Sequence, residues 1–300
     1  MKILLLIITA FIFSFANDFD YKIKAIKLNE NSYYVYGKEE YFSKENGGDI
    51  ANTAFIITKN SVILIDTGSS VAYAKQLKEQ IRKITNKPIK FIFNTHHHPD
   101  HFLGNYAFKD AKIFATDYTK EDIKNNGELY ISNMVNLIGK AAYTTKVKVP
   151  NSLLEEKELI LDRYKLKILY LNGHTKSDVV IYDEKTKIVY ASDLIFNKRA
   201  LATPHANLQD WIKALEKLKT IDFKILVAGH GKVSYDKKVI DENIFYLKYL
   251  HSTLKNAVNE GLDTFEILEK EHPKELQDYS MFKEEFERSI INLYPKYENQ

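Results

Sequence analysis

The sequence predicts an α/β fold in which two β-sheets are covered by helices on their outer faces. Two observations lead there. Strands, a helix, strands and a helix succeed one another in each half of the 300-residue chain, and sheets with helix-covered outer faces satisfy that order. Hydrophobic residues make up 45% and aromatics 13%, enough for a sizeable core. No repeat of short fixed period and no low-complexity linker divides the chain. Residues 17–300 therefore read as one domain with a helical C-terminal part.

The elements follow in order. Residues 21–36 alternate and are rich in Ile, Val and Tyr, which predicts one or two strands. Residues 45–49, Glu-Asn-Gly-Gly-Asp, form a loop. Residues 54–58 and 61–65 are short apolar runs split by Lys59-Asn60, the pattern of a hairpin. Asp66-Thr67-Gly68 closes it, and a helix follows with Tyr73, Leu77, Ile81 and Ile84 on one face. Pro88 precedes a buried strand over 89–93, and another strand covers 112–116. Residues 119–143 read as helix, interrupted near Asn125-Asn126-Gly127. In the second half, strands are expected over 158–161, 166–171, 179–182 and 188–191, the last ending before Ser192-Asp193. A helix carries Trp211, Leu215 and Leu218 as a core stripe. A strand over 225–228 ends at Gly229-His230-Gly231, and from Asp236 onward the pattern is mostly helical.

The first residues differ from the rest. Lys2 precedes an apolar run over 3–15, and Ser14-Phe15-Ala16 places small residues at its end. The run is short for a hydrocarbon core of about 30 Å. We read residues 1–16 as a secretory signal peptide and expect a periplasmic or secreted protein without a stable membrane span. A buried N-terminal element or an uncleaved anchor is the alternative. The chain contains no cysteine, which excludes disulfides, a thiolate nucleophile and thiolate metal ligands. Charged residues reach 28% but the net charge is only +3, and this balance gives no case for a nucleic-acid partner.

The chemistry gathers where strands end. His96, His98, Asp100 and His101 crowd into one short segment. His96 and His98 share a face in an extended segment, and Pro99 bends the chain so that Asp100 and His101 can aim at a second point. Imidazole and carboxylate suit zinc. A histidine cluster alone is also what a surface patch binding adventitious metal would show. His174, Asp193 and His230 follow further strands, two of them beside glycine, and this set fits a shared pocket better. His97 should point away from the ligands, towards a supporting or surface role. His205 reads as a solvated loop histidine or a pocket-lining one. His251 and His272 sit in helical patterns without a visible partner. Asp66 is either a carboxylate that orients a metal ligand or a turn residue.

Taken together, His96-x-His98-x-Asp100-His101, His174, Asp193 and His230, with Asp66-Thr67-Gly68 upstream, resemble the metallo-β-lactamase superfamily over roughly residues 50–235. The resemblance implies a four-layer αββα sandwich holding two zinc ions. It places His96, His98 and His174 on the first zinc and Asp100, His101 and His230 on the second, with Asp193 bridging. Many true β-lactamases carry cysteine or serine where this chain has Asp193. The aspartate resembles the glyoxalase II and lactonase branches instead. Gly47-Gly48-Asp49-Ile50-Ala51-Asn52, the block from Thr95 to His101 and Ser192-Asp193-Leu194-Ile195-Phe196 resemble the exported zinc metallohydrolases called quinoprotein relay system proteins. That subgroup implies a periplasmic quinoprotein dehydrogenase as a partner.

The expected activity is hydrolysis of a small-molecule ester, thioester, lactone or amide by a zinc-bound hydroxide, which zinc makes available near neutral pH. Asp100 is the candidate catalytic residue, orienting the hydroxide. A mononuclear iron sulfur dioxygenase on the same fold is one alternative. A non-catalytic accessory protein of a periplasmic quinoprotein dehydrogenase is the other.

Overall fold

The computed structural model describes residues 19–299. The signal-peptide reading over 1–16 and a mature start near Asn17 lie outside the described residues.

The first half builds a seven-stranded sheet whose strands lie side by side in chain order. Strands β1 (Ala25–Lys27), β2 (Ser32–Val35), β3 (Thr53–Ile57) and β4 (Val62–Ile65) pair antiparallel. Helix α1 (Val71–Ile84) then carries the chain back, so that β5 (Ile89–Phe93) joins parallel to β4, as a crossover requires. Ser70 starts α1 by accepting a hydrogen bond from the Tyr73 amide. A single helical turn, α2 (Pro99–Phe102), leads to β6 (Lys112–Ala115), helix α3 (Asp117–Ile138) and the two-residue β7 (Ser152–Leu153).

The second sheet has five strands in the order β12-β11-β10-β9-β8. Strands β8 (Glu158–Leu161), β9 (Tyr164–Leu171), β10 (Asp178–Asp183) and β11 (Ile188–Asn197) run antiparallel. Helix α4 (Leu208–Lys219) crosses over to β12 (Ile225–Gly231), which lies parallel to β11. Helices α5 (Lys238–Glu260), α6 (Thr264–Leu268), α7 (Lys274–Gln277) and α8 (Phe282–Glu298) complete the chain.

Period-two patterning sets the layers. In β4, Val62 and Leu64 pack with Tyr73, Leu77 and Ile81 of α1. Ile63 and Ile65 face the other way and meet Val179 and Ile181 of β10. In β11, Ile188 and Tyr190 join that middle layer, while Val189 and Ala191 pack with Trp211 and Leu215 of α4 and Leu247 of α5. Three apolar layers therefore separate helix, sheet, sheet and helix, and the expected αββα sandwich is what the chain forms.

Three local expectations change. Helix α3 is continuous through Asn125-Asn126-Gly127. A Cβ on Gly127 would stand 2.8 Å from Val147 Cγ2, so the glycine serves close packing. Strand β11 continues past Ala191 to Asn197, with irregular register around Ser192, so Asp193 lies inside a strand. His230 likewise lies within β12. The strand β7 carries no periodic signal because it is two residues long.

Asn52, between the Gly-Gly-Asp loop and β3, ties the two sheets together. The Asn52 amide donates to Gly229 O (2.7 Å), and Asn52 Nδ2 donates to Ala228 O (2.8 Å) and Gly231 O (2.7 Å). In the same loop Asp49 is buried and its Oδ1 has no hydrogen-bond partner. Burial pushes its carboxyl up to about 7, with Lys38 opposing and Glu40 adding to the rise. A carboxyl that binds its proton more tightly folded than unfolded makes stability fall as pH rises from about 4 through 7, after which the loss is complete. Asp49→Asn removes that slope. Its stability relative to the parent should climb between pH 4 and pH 8 by at most about 4 kcal/mol. Denaturant unfolding of both metal-free proteins across that range checks it; a constant difference would refute it.

Candidate metal centre

Strand ends deliver the site. Leaving β5, the chain places His96, then His98, and then winds α2, which carries Asp100 and His101. Asp66, directly after β4, anchors this turn. Its carboxylate accepts from the Thr95 amide (2.9 Å), Thr95 Oγ1 (2.8 Å) and His101 Nδ1 (2.8 Å). The Thr67 amide donates to His101 O at 2.7 Å. Of the two readings of Asp66, the structure supports the orienting carboxylate, and the residue also makes the turn, with φ 58°.

Asp193 stands among the imidazoles. Its Oδ1 lies 3.0 Å from His101 Nε2. Its Oδ2 lies 3.3 Å from His174 Nε2, 3.3 Å from His230 Nε2 and 3.8 Å from His96 Nε2. Asp100 Oδ2 is 3.5 Å from His230 Nε2 and 3.7 Å from His101 Nε2. His98 Nδ1 and His174 Nε2 are 2.9 Å apart. A Cβ on Gly229 would meet Asp193 Oδ1 at 2.0 Å, so only glycine lets the carboxylate sit there.

Two groups of side chains that include a carboxylate meet the needs of a cation: His96, His98, His174 and Asp193, and Asp100, His101 and His230; His97, His98 and His205 form a third group without a carboxylate, the ligand atoms of each group lying within 4.8 Å of one another. All the candidate ligands from the sequence are thus brought together. The donor set fits zinc, which takes imidazole nitrogen and carboxylate oxygen at about 2.0–2.2 Å. His96 Nε2, His101 Nε2 and Asp193 Oδ1 are buried without a properly aligned hydrogen-bond partner, which is costly unless something else satisfies them.

The outer nitrogens fix the inner ones. Ile50 O can only accept, so His230 Nδ1 donates to it (2.9 Å) and Nε2 turns its lone pair inward. Asp66 does the same for His101. Burial, with neighbouring imidazoles, holds His96 and His98 well below the ordinary histidine range. Burial lowers His174 to about 3 despite Asp193. These rings are neutral and ready to ligate. Burial would also lower His101, but Asp193, Asp100 and Asp66 outweigh it and raise it well above. The same field of carboxylates attracts a cation.

Other histidines depart from expectation. His97 stays outside the two groups around Asp193, but a ring nitrogen of it lies within 4.8 Å of ligand atoms of His98 and His205, and it is buried beside Tyr118 and Tyr130 and is no surface group. His205 is exposed yet lines the cavity over the site, its Nδ1 2.8 Å from His98 Nε2. His251 and His272 each have a tyrosine partner, Tyr297 at 2.6 Å and Tyr249 at 2.7 Å, and His272 lies in a loop rather than a helix. The cavity, about 320 Å³, opens over Asp100, Asp193, His98 and His230.

Against known proteins, the family described as the Metallo-beta-lactamase superfamily matches residues 46–230. The chain belongs to the metallo-β-lactamase superfamily. The chain is similar to the linear primary-alkylsulfatase of a Pseudomonas strain, 21% identical over 79% of this chain; the chain spans only 53% of that enzyme's length. Metallo-beta-lactamase IND-1 of Chryseobacterium indologenes is 27% identical over 66% of this chain and 75% of its own. A metallo-beta-lactamase from Pontibacter korlensis shares the fold, with TM-score 0.63 at 19% identity over 75% of this chain and 99% of that one. Superfamily membership makes this a metallohydrolase scaffold, and its fold implies divalent metal ions at the His/Asp clusters. Among the described residues, no helix is long and apolar enough to cross a membrane.

Sequence reasoning missed Ile50, whose contribution is a backbone carbonyl, and the cavity wall supplied by Arg199, Glu285 and Arg288. Neither carries a motif. Asp66→Asn keeps a residue tolerant of positive φ but removes the charge behind His101. It should weaken zinc binding roughly ten- to hundredfold, measured by competition with a chelator. Unchanged affinity would show that Asp66 serves only the turn.

Proposed function

We propose that this chain is a two-zinc hydrolase of small molecules that cleaves an ester, thioester, lactone or amide. The observation that carries the reading is the position of Asp193, in reach of both ligand groups. Zinc bound at the two groups would polarise a carbonyl and lower the pKa of water from 15.7 to about 7. The chain's own residues do the rest. His96, His98 and His174 offer neutral nitrogens on one side, and Asp100, His101 and His230 face them on the other. Asp100, at the cavity wall, accepts a hydrogen bond from the attacking water and orients it. Burial of His96, His101, His174, Asp193 and His230 strengthens these interactions.

Asp193 and the absence of cysteine favour activated esters, thioesters and lactones over β-lactams, and amides have the poorer leaving group. The alkylsulfatase relative adds an alkyl sulfate to the substrates to be compared. We also propose that the apolar run over 3–15 exports the protein; mass spectrometry of extracytoplasmic protein should find a start near Asn17, and an intact Met1 in a cytoplasmic pool would refute it.

Elemental analysis of protein from its native compartment should give two zinc ions per chain. Asp193→Ala should lose at least one and most of the activity, while His251→Ala keeps both. One iron and no zinc would mean an oxygenase. Side-by-side assays on a lactam, a lactone, an aryl ester, a thioester and an alkyl sulfate then rank the substrates. Turnover of the lactam alone would make the protein a β-lactamase, and turnover of the sulfate alone would remove the acyl part of the reading.

A further inference from the structure

Helix α8 lies beyond the stretch matched by the superfamily, yet it forms part of the wall above the metal centre. Its Glu285 is 1% exposed and shared between two guanidinium groups: Oε1 accepts from Arg199 Nη2 at 3.1 Å, and Oε2 accepts from Arg288 Nη1 at 2.8 Å. The Arg199–Glu285 pair is buried and joins α8 to the segment after β11. Thr203 Oγ1, donating to Ser289 Oγ at 2.6 Å, makes a second tie between the same parts. Docking of the helix is therefore already provided for without Arg288.

Arg288 is a surplus. One carboxylate between two guanidinium groups leaves one positive charge unbalanced, and the Arg288 side chain is 34% exposed. Its guanidinium stands 4.9 Å over the ring of Tyr41. Stacking on one side and a carboxylate at one end hold the fork in place, leaving other N–H groups free. Arg199 lines the same cavity, and its buried Nε has no hydrogen-bond partner. The cavity that these cations share with Asp100 and Asp193 is also lined by the apolar or aromatic side chains of Phe42, Tyr130, Met134 and Leu137.

We propose that Arg288, backed by Arg199, is the anchoring subsite for a terminal oxyanion on the substrate. The substrate would be a compact molecule with an apolar body, an oxyanion at one end and its cleavable bond at the other, over Asp100 and Asp193. This rests on the hydrolase reading for the bond but not for the anchor. Bidentate pairing with a planar fork suits a carboxylate or a sulfate-type group, and a cavity of about 320 Å³ is of the size that holds small ligands.

Binding without turnover separates the two ideas. Zinc-restored protein and its Arg288→Gln and Arg288→Lys variants are titrated calorimetrically with 4-phenylbutyrate, 4-phenylbutane-1-sulfonate and the neutral 4-phenylbutanol. The parent should bind at least one anion more tightly than the alcohol. Arg288→Gln should weaken that anion roughly ten- to hundredfold and leave the alcohol unchanged, with partial recovery in Arg288→Lys. The tighter anion names the oxyanion. Anion binding no tighter than the alcohol, or equal anion affinity in the parent and Arg288→Gln, overturns the proposal. Thermal unfolding of the variants guards against a folding defect: a variant that unfolds early is replaced by Tyr41→Leu, which removes the stacking surface and should also weaken the anion selectively. Failure to hydrolyse any ester would refute the hydrolase reading and leave this result standing.

Discussion

Lone pairs converge on a buried point, and the rest of the molecule is arranged around making that tolerable. Asp193 is 3% exposed and its oxygens lie within 3.0–3.8 Å of imidazole nitrogens on four different histidines. Burying such groups without partners is costly. Burial alone would raise Asp193, yet His101 and His230 hold it well below the ordinary carboxylate range. A cation between carboxylate and neutral imidazole converts the same geometry from a liability into a binding site. The side chains cannot be left to find this arrangement, so the backbone behind them has to be stiff.

The sheets supply that stiffness. Asp66 follows β4, His96 follows β5, His174 follows β9, and His230 closes β12. Strand β10 pairs with β11 from Ile181–Tyr190 to Asp183–Ile188, and its start turns instead to Thr95 beside His96. Both sheets therefore present the same end to the centre. Direct bonds lock them there: the Val179 amide donates to Thr95 O at 3.0 Å, and the Asn52 amide to Gly229 O at 2.7 Å. A ligand held by one sheet cannot drift from a ligand held by the other without breaking these contacts and exposing the middle apolar layer.

The layers and the clustering of the His and Asp side chains were legible in the sequence for the same reason. Period two in β4 and β11, and helical spacing in α1 and α4, are imposed by burial on specific faces. The ligand types are imposed by the chemistry of the cation. What was hidden depends on the partner rather than on the residue. Nothing in Gly127 distinguishes a helix break from a helix packed tightly on Val147. Nothing in Asp193 says that the strand continues beneath it, because Ser192 takes positive φ and shifts the register. His97 looks like a surface histidine until α3 covers it with Tyr130. Ile50 acts through its carbonyl, which every residue has.

The split between legible and hidden parts follows a division of labour. The metal centre belongs to the two sheets, where any movement of a strand end would cost ligand geometry. The cavity above it draws on α3 and α8, which pack on the outside and can change without disturbing the strands. Helix α8 reaches the cavity because α5 and α6 pack against it and the Arg199–Glu285 pair and Thr203–Ser289 bond draw it onto the segment after β11. Selectivity set by Arg288 and Tyr41 would therefore be separable from the hydrolytic machinery. A change at either residue alters which molecule is held, while the donors around Asp193 keep the register imposed by β5, β11 and β12.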